Sequence, residues 1–207
     1  MGIDSALEES DQVAEELLAI IDLPLCNDTA RVEVAAVACS LSIEHWHATR
    51  ILITAGALPS ALVVHRSQFE AVLRSVWLTY AASEAEVAKL ADRLTTDTEQ
   101  AAKNIAQTQA MIEALAKSGP KQAYDALARF KDHSWKALNS YAHAGIHPLV
   151  RHAEGYPEPL ALNVLRNSNG LGLLAGMQAV VLAGIQPLQK QVLELGNKHP
   201  NCMPPPL

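Results

Sequence analysis

The chain has 207 residues, 49% of them apolar and only 18% charged, with a net charge of −6. That length suits one domain, and an acidic balance without a basic patch gives no attraction to a phosphate backbone, so nucleic-acid binding is not expected. The charged share lies below the usual quarter, which predicts a large core and surplus apolar surface best used in a homodimer.

Apolar residues recur at helical spacing and nothing alternates in the manner of a strand. The expectation is all-α: a bundle of about six to seven helices, the long ones antiparallel. In chain order, a first helix runs from Asp4 to Asp22 and stops before Pro24. A second is capped around Asn27 to Thr29 and lasts to Ala55, where Gly56 and Pro59 break it. A third covers Ser60 to Ala82. Ser83 and Glu86 form a capping box for a pair of polar helices reaching Lys117, closed by Gly119-Pro120. Helices at Lys121–Arg129 and Ser134–Ala144 follow. A loop with at most one short turn comes next, then a last helix over Leu160–Leu195 with breaks at Asn167–Gly170 and Pro187. Residues 1–196 form the domain, and 197–207, with four prolines, make a tail expected to be disordered or extended.

The three cysteines, Cys26, Cys39 and Cys202, have no metal-ligand spacing, and Cys39 reads as a core residue. The acidic start carries no basic-then-apolar signal. The longest apolar run, Leu171 to Ile185, would span about 22 Å as a helix, short of the roughly 30 Å of a bilayer core. A cytoplasmic protein without membrane contact is therefore expected.

Candidate site residues are the charged and polar groups inside apolar helices. On the second helix Glu33, Ser40, Glu44 and His47 share a narrow band at about 100° per residue, which is either a seam facing a cavity or a solvent face. On the third, Arg66 lies within the apolar face of Leu62, Phe69, Leu73, Val76 and Tyr80. Glu70 and Arg74 follow at steps of four, giving an Arg-Glu-Arg line. A buried Arg66 needs a carboxylate, from Glu70 or from Glu44 across the interface, and serves either as a structural ion pair or as a grip on an anion. Later, Ser140, Tyr141 and His143 cluster before Gly145, with His143 in the last turn where the helix dipole favours a cation.

The Glu44-His45 pair, the run Arg66-Ser67-Gln68-Phe69-Glu70 with Arg74 and Trp77, and Ser140-Tyr141-Ala142-His143 with Gly145 resemble an uncharacterised bacterial helical family. Its group, a domain of unknown function, has an Arg-x-x-Phe-Glu helix and a later Ser-Tyr-x-His-x-Gly motif. The resemblance spans Ala14 to Leu195, with Ala144 where a glycine is expected. It implies a helical fold and candidate residues but no reaction. Such proteins are distantly similar to HEPN-type bundles, many of which dimerise and some of which cut RNA. The nuclease spacing of arginine, four to six residues, then histidine is missing: only three residues separate Arg129 from His133.

The leading function is a non-enzymatic regulatory or binding module, homodimeric, with an unknown small ligand or protein partner and no cofactor. Its polar pocket would form where Glu44, His47, Arg66, Glu70, Arg74, Ser140, Tyr141 and His143 converge. The alternative is a hydrolase, either metal-assisted or with His143 as base. Glu44-x-x-His47 has half of a diiron spacing but no second copy, and His143 with His147 has a helical metal spacing that His45, His47 or His65 would complete, although Gly145 and Pro148 oppose a regular helix through His147. In the last helix Gly172, Gly176, Val180 and Gly184 form a small-residue strip for close packing, inside the bundle or across a twofold axis.

Overall fold

The apolar periodicity settles into helices wherever a cap or a proline lets one begin. The computed structural model describes residues 2–102 and 104–205, and among them are ten α-helices and no strand. These are α1 (Ile3–Ile21), α2 (Ala30–Thr54), α3 (Leu58–Tyr80), α4 (Glu84–Ala91), α5 (Thr96–Ala102), α6 (Thr108–Ser118), α7 (Lys121–Ala142), α8 (Ile146–Glu154), α9 (Glu158–Ala183) and α10 (Pro187–Lys198). A single 3-10 turn, Pro200–Cys202, follows. The Ser83–Glu86 capping box forms at the start of α4, its two reciprocal bonds satisfying amides that the first helical turn leaves free. No described helix is long and apolar enough to cross a membrane.

The count exceeds the expected six to seven for local reasons. The polar pair over 84–117 divides into three short helices: Asp92 to Thr95 exposes its one large apolar side chain, Leu94, and has nothing to hold a helical stripe against the core, while Ile105 is buried from a non-helical stretch between α5 and α6. The turn expected after Gly145 is a nine-residue helix, α8. Conversely, 129–134 contains no breaker, and buried Leu127, Phe130 and Leu138 carry α7 through as one rod. Helix α9 likewise continues through Asn167–Gly170, where Ser168 and Asn169 are fully buried. It ends where Gly184 adopts the left-handed conformation, φ +74°.

At the centre, α2 runs antiparallel to α3, stitched by Ser42 Oγ donating to the Gln68 carbonyl and Ser75 Oγ to that of Ala35. Helix α9 lies along both, and α7 covers the far side of α3, with Phe130 stacked on Phe69 at 4.6 Å and edge-on to His65. The main core gathers Phe69, Leu73, Trp77, Leu138 and Leu165. A second, smaller core joins α1 to α10 through Val13, Leu17, Trp46, Val192, Cys202 and Met203. The α9 glycine strip belongs inside the molecule. A Cβ on Gly172 would meet the Trp46 indole at 2.6 Å, and one on Gly176 would meet Leu17 at 2.5 Å.

The tail expected to be disordered packs instead, as far as the described residues run. His199, Cys202 and Met203 are buried, and Pro204 lies against Gly170. Prolines offer carbonyls but no N–H groups, so the tail needs donors from the body. Asn169 Nδ2 donates to the Cys202 carbonyl at 2.8 Å, Arg166 to Asn201 and Arg129 to Pro205. The Cys202 N–H in turn donates to Glu9 on α1.

Candidate functional site

Among the expected site residues, those on α2 stand apart from the rest. Glu44 and His47 are exposed on its outer face, as are Glu33 and Ser40. The seam is a solvent face, and Glu44 does not pair with Arg66. The single pocket uniting Glu44, Arg66 and His143 is not formed, because α2 turns its Ala35, Cys39, Ser42 and Trp46 side inward and the Glu44 band points the other way.

Arg66, Glu70 and Arg74 do form a ladder along α3. Arg66 Nη2 donates to Glu70 Oε1 at 3.2 Å, and the guanidinium lies 4.9 Å from the Trp135 ring centroid on α7. Its Nε is buried and makes no hydrogen bond. Arg74 sits beside Trp77 and gives one long bond, 3.5 Å, to the Ala106 carbonyl, while its buried Nη1 has no partner. Burial holds the Arg74 guanidinium below its ordinary pKa, with Glu70 and Glu86 pulling the other way. Arg66 thus pairs with Glu70, Arg74 lies in the field of Glu70 and Glu86 without a salt bridge to either among the described residues, and buried donors are left unmet. Asn139, one turn beyond Trp135, also buries an amide oxygen without a donor. Unmet buried polar atoms are uncommon and call for a reason.

Ser140, Tyr141 and His143 do different work. The Ser140 hydroxyl accepts the His147 amide at 3.1 Å, capping α8. A Cβ on Gly145 would lie 2.6 Å from that hydroxyl, so the cap needs glycine there. Tyr141 is buried, which raises its pKa; Tyr156 adds to the rise and Arg151 opposes it. His143 is the exposed C-cap of α7. Ala144, at the position where the resemblance expects glycine, has φ +49°, a left-handed conformation that costs a residue with a Cβ about 1 kcal/mol. His143 and His147 fall on separate elements, and among the described residues no three His, Cys, Asp or Glu side chains come together to hold a metal ion.

The polar chemistry that does lie inside was not singled out from the sequence. Gln68 is fully buried: its Oε1 accepts from Ser168 Oγ at 2.7 Å and His65 Nδ1 at 3.1 Å, and its Nε2 donates to the Ser168 carbonyl. Desolvation drives the His65 pKa down to about 4, against a smaller upward pull from Gln68, so this imidazole is neutral. Asn169 Oδ1 accepts from Ser10 and from the Trp46 indole. Gln178 bridges to Thr79. Arg50, 8% exposed, lies over Trp46 and donates twice to Asp11 on α1. Arg50 could have been found, since it stands four residues after Trp46 on the core-facing stripe. The neutral amides give no such signal, because a glutamine on an exposed face and one in a core look alike in sequence.

Two clefts open between α1 and α2. One, of about 410 Å³, is lined by Asp11, His47, Arg50, Ile51, Thr54 and Ala55. The other, about 740 Å³, is walled by Leu18, Ile21, Leu25, Ile43 and Leu182 together with Asp22 and Ser40. Neither touches the α3 ladder.

Residues 39–205 match the model of a family of unknown function, DUF6988. That span takes in α3, α7 and every residue of the ladder. No curated protein and no solved structure matches the chain.

Proposed function

We propose, for a chain that belongs to the DUF6988 family of unknown function, a binding role: the α3 ladder takes up a small phosphate- or carboxylate-bearing ligand. The carrying observation is the pair of half-buried guanidinium groups with unmet donors, Arg66 Nε and Arg74 Nη1, of which Arg66 alone has an ion pair among the described residues, to Glu70. A planar guanidinium is suited to oxyanions because it offers parallel donors in a fixed fork. Trp135 backs Arg66 and keeps its plane from collapsing into solvent. Glu70, with a side chain 38% exposed, is the group an incoming oxyanion would displace from Arg66. Loss of a partly hydrated ion pair costs little, so the exchange is energetically open.

Binding is preferred to hydrolysis because the candidate nucleophile and base are otherwise engaged. Ser140 is committed to a helix cap, and His143 stands in solvent at a helix end. The test is thermal unfolding at constant ionic strength with inorganic phosphate or succinate added. A ligand at about one hundred times its Kd adds roughly 2.7 kcal/mol, which would raise Tm by several degrees. Arg66→Met and Arg74→Met should abolish the rise while leaving helicity intact. No rise above that of a chloride control would end the anion reading.

A further inference from the structure

The smaller cleft between α1 and α2 holds a buried charge that the fold only half uses. Arg50 is fixed from behind, its guanidinium 5.3 Å from the Trp46 ring centroid, and its side chain is 9% exposed. Its Nε and Nη2 both donate to one oxygen of Asp11, Oδ1. An arginine and a carboxylate that meet in full do so as fork on fork, two nitrogens on two oxygens. Here the pair closes on a single oxygen, so each partner keeps one end over. Nη1 makes no hydrogen bond among the described residues, nor is it sealed from solvent. Oδ2 of Asp11 accepts nothing among them either, on a side chain 63% exposed. Burying an arginine is costly unless its donors are met, and a cleft of about 410 Å³ opens at this pair.

We infer that the cleft is a binding site for a small zwitterion, an α-amino acid with an apolar side chain. A lone anion drawn to Nη1 meets the Asp11 carboxylate beside it, and a lone cation drawn to Oδ2 meets the guanidinium. A molecule that carries both charges on one carbon serves both ends at once and leaves the charge of the cleft balanced. Its carboxylate accepts from Arg50 Nη1, and its ammonium donates to Asp11 Oδ2. Neither bond displaces the Arg50–Asp11 pair, so filling the site does not require breaking it. The ligand's side chain then lies on the apolar wall of Ile51 and Ala55. Ile51 is 53% exposed, an apolar group on the outer side of α2 that the core leaves unused. Thr54, also in the wall, adds no charge, and its hydroxyl donates back to the Arg50 carbonyl. The volume falls at the lower end of small-molecule sites, which suits a ligand of this size. The cleft does not touch the α3 ladder, so the two readings stand or fall separately.

Titration of the isotope-labelled full chain with L-leucine, followed through its backbone amide resonances, tests the site. The amides of Asp11 and of residues 50–55 should shift together and saturate at one leucine per chain. Isoamylamine is leucine without its carboxylate, and isocaproate is leucine without its ammonium. Each should bind about tenfold more weakly or worse, the loss of one charge-assisted bond. Asp11→Asn keeps an acceptor for Arg50 and removes the charge that holds the ammonium. It should weaken leucine about tenfold and leave isocaproate no weaker than before, a split that mere loosening of the fold does not produce. Arg66→Met should leave leucine binding as it was, which separates this site from the ladder. No saturating shift up to about 10 mM leucine, ten times the Kd of a weak millimolar site, overturns the proposal. So does isocaproate or isoamylamine binding as tightly as leucine, unchanged leucine affinity in Asp11→Asn, or loss of the shifts in Arg66→Met.

Discussion

Two polar regions of this bundle are built on opposite terms. Around α9, neutral groups are sunk completely and are almost fully matched. Asn169 serves Ser10, Trp46 and the tail, Gln68 serves His65 and Ser168, and Gln178 serves Thr79. Along α3, charged groups sit half out of water and are under-matched, with donors on Arg66 and Arg74 left over. A satisfied internal network fixes which helices lie together and has nothing spare to offer a ligand. An under-satisfied charged one contributes little to stability and keeps its donors for something else. The contrast assigns architecture to the first and recognition to the second.

The sharpest way to break that contrast is to attack the matched side. Asn169→Leu leaves the Ser10 hydroxyl, the Trp46 indole N–H and the Cys202 carbonyl without their shared partner. At 1–3 kcal/mol for each stranded group, urea unfolding should report a loss of about 4 kcal/mol or more. A loss under about 1 kcal/mol would mean the network is dispensable.

Next in size is His65. Its folded pKa, about 4, lies below the ordinary value of 6.5 because burial disfavours the cation. As pH falls, the unfolded chain takes up the proton first, so His65 costs nothing above pH 6.5 and progressively destabilises the fold from there down to about 4. The integrated effect is about 3 kcal/mol. His65→Leu should flatten that part of the stability profile relative to wild type, whatever it does to the absolute value.

The under-matched side should respond weakly. Arg66→Met ought to cost no more than about 1 kcal/mol, because Glu70 is exposed enough to be rehydrated. Arg74→Met should be close to neutral, since it also removes a buried donor that has no partner. If either cost about 4 kcal/mol, the ladder would be architecture too. With the opposite sign, Ala144→Gly should stabilise by about 0.5–1 kcal/mol by relieving a left-handed backbone at φ +49°, read as a small rise in Tm.

Much of the helical frame was legible. Apolar spacing, the Ser83 cap and the breaks at Gly56 and Gly119 located α1 to α3 and the starts of α4 and α7 to within about three residues, the usual margin for helix ends. What misled were signals whose meaning depends on neighbours. Asn167 to Gly170 reads as a break until Ser168 and Asn169 find buried partners, and a proline-rich tail reads as disorder until donors on α7 and α9 reach the carbonyls of Asn201, Cys202 and Pro205. The α3 ladder was visible because Arg66 interrupts an apolar stripe. The proposed link from Arg66 to Glu44 was not a property of either helix; it depended on which way α2 faces, and the two-sided apolarity of α2 hid that. Gln68, Asn169 and Gln178 left no trace at all, since burial of an amide is decided by what packs over it.

The last described residues seal the first helix. Cys202 and Met203 close over Val13 and Leu17, while Glu9 on α1 receives the Asn201 amide and the Cys202 N–H. These bonds join residues more than 190 positions apart in the chain, so the clasp closes only after everything between them has been made. Cutting the chain behind α10 would strip that cover from the apolar side of α1, while its bonds to α2 and α9 through Asp11 and Ser10 would remain, and a protease should then reach α1 sooner.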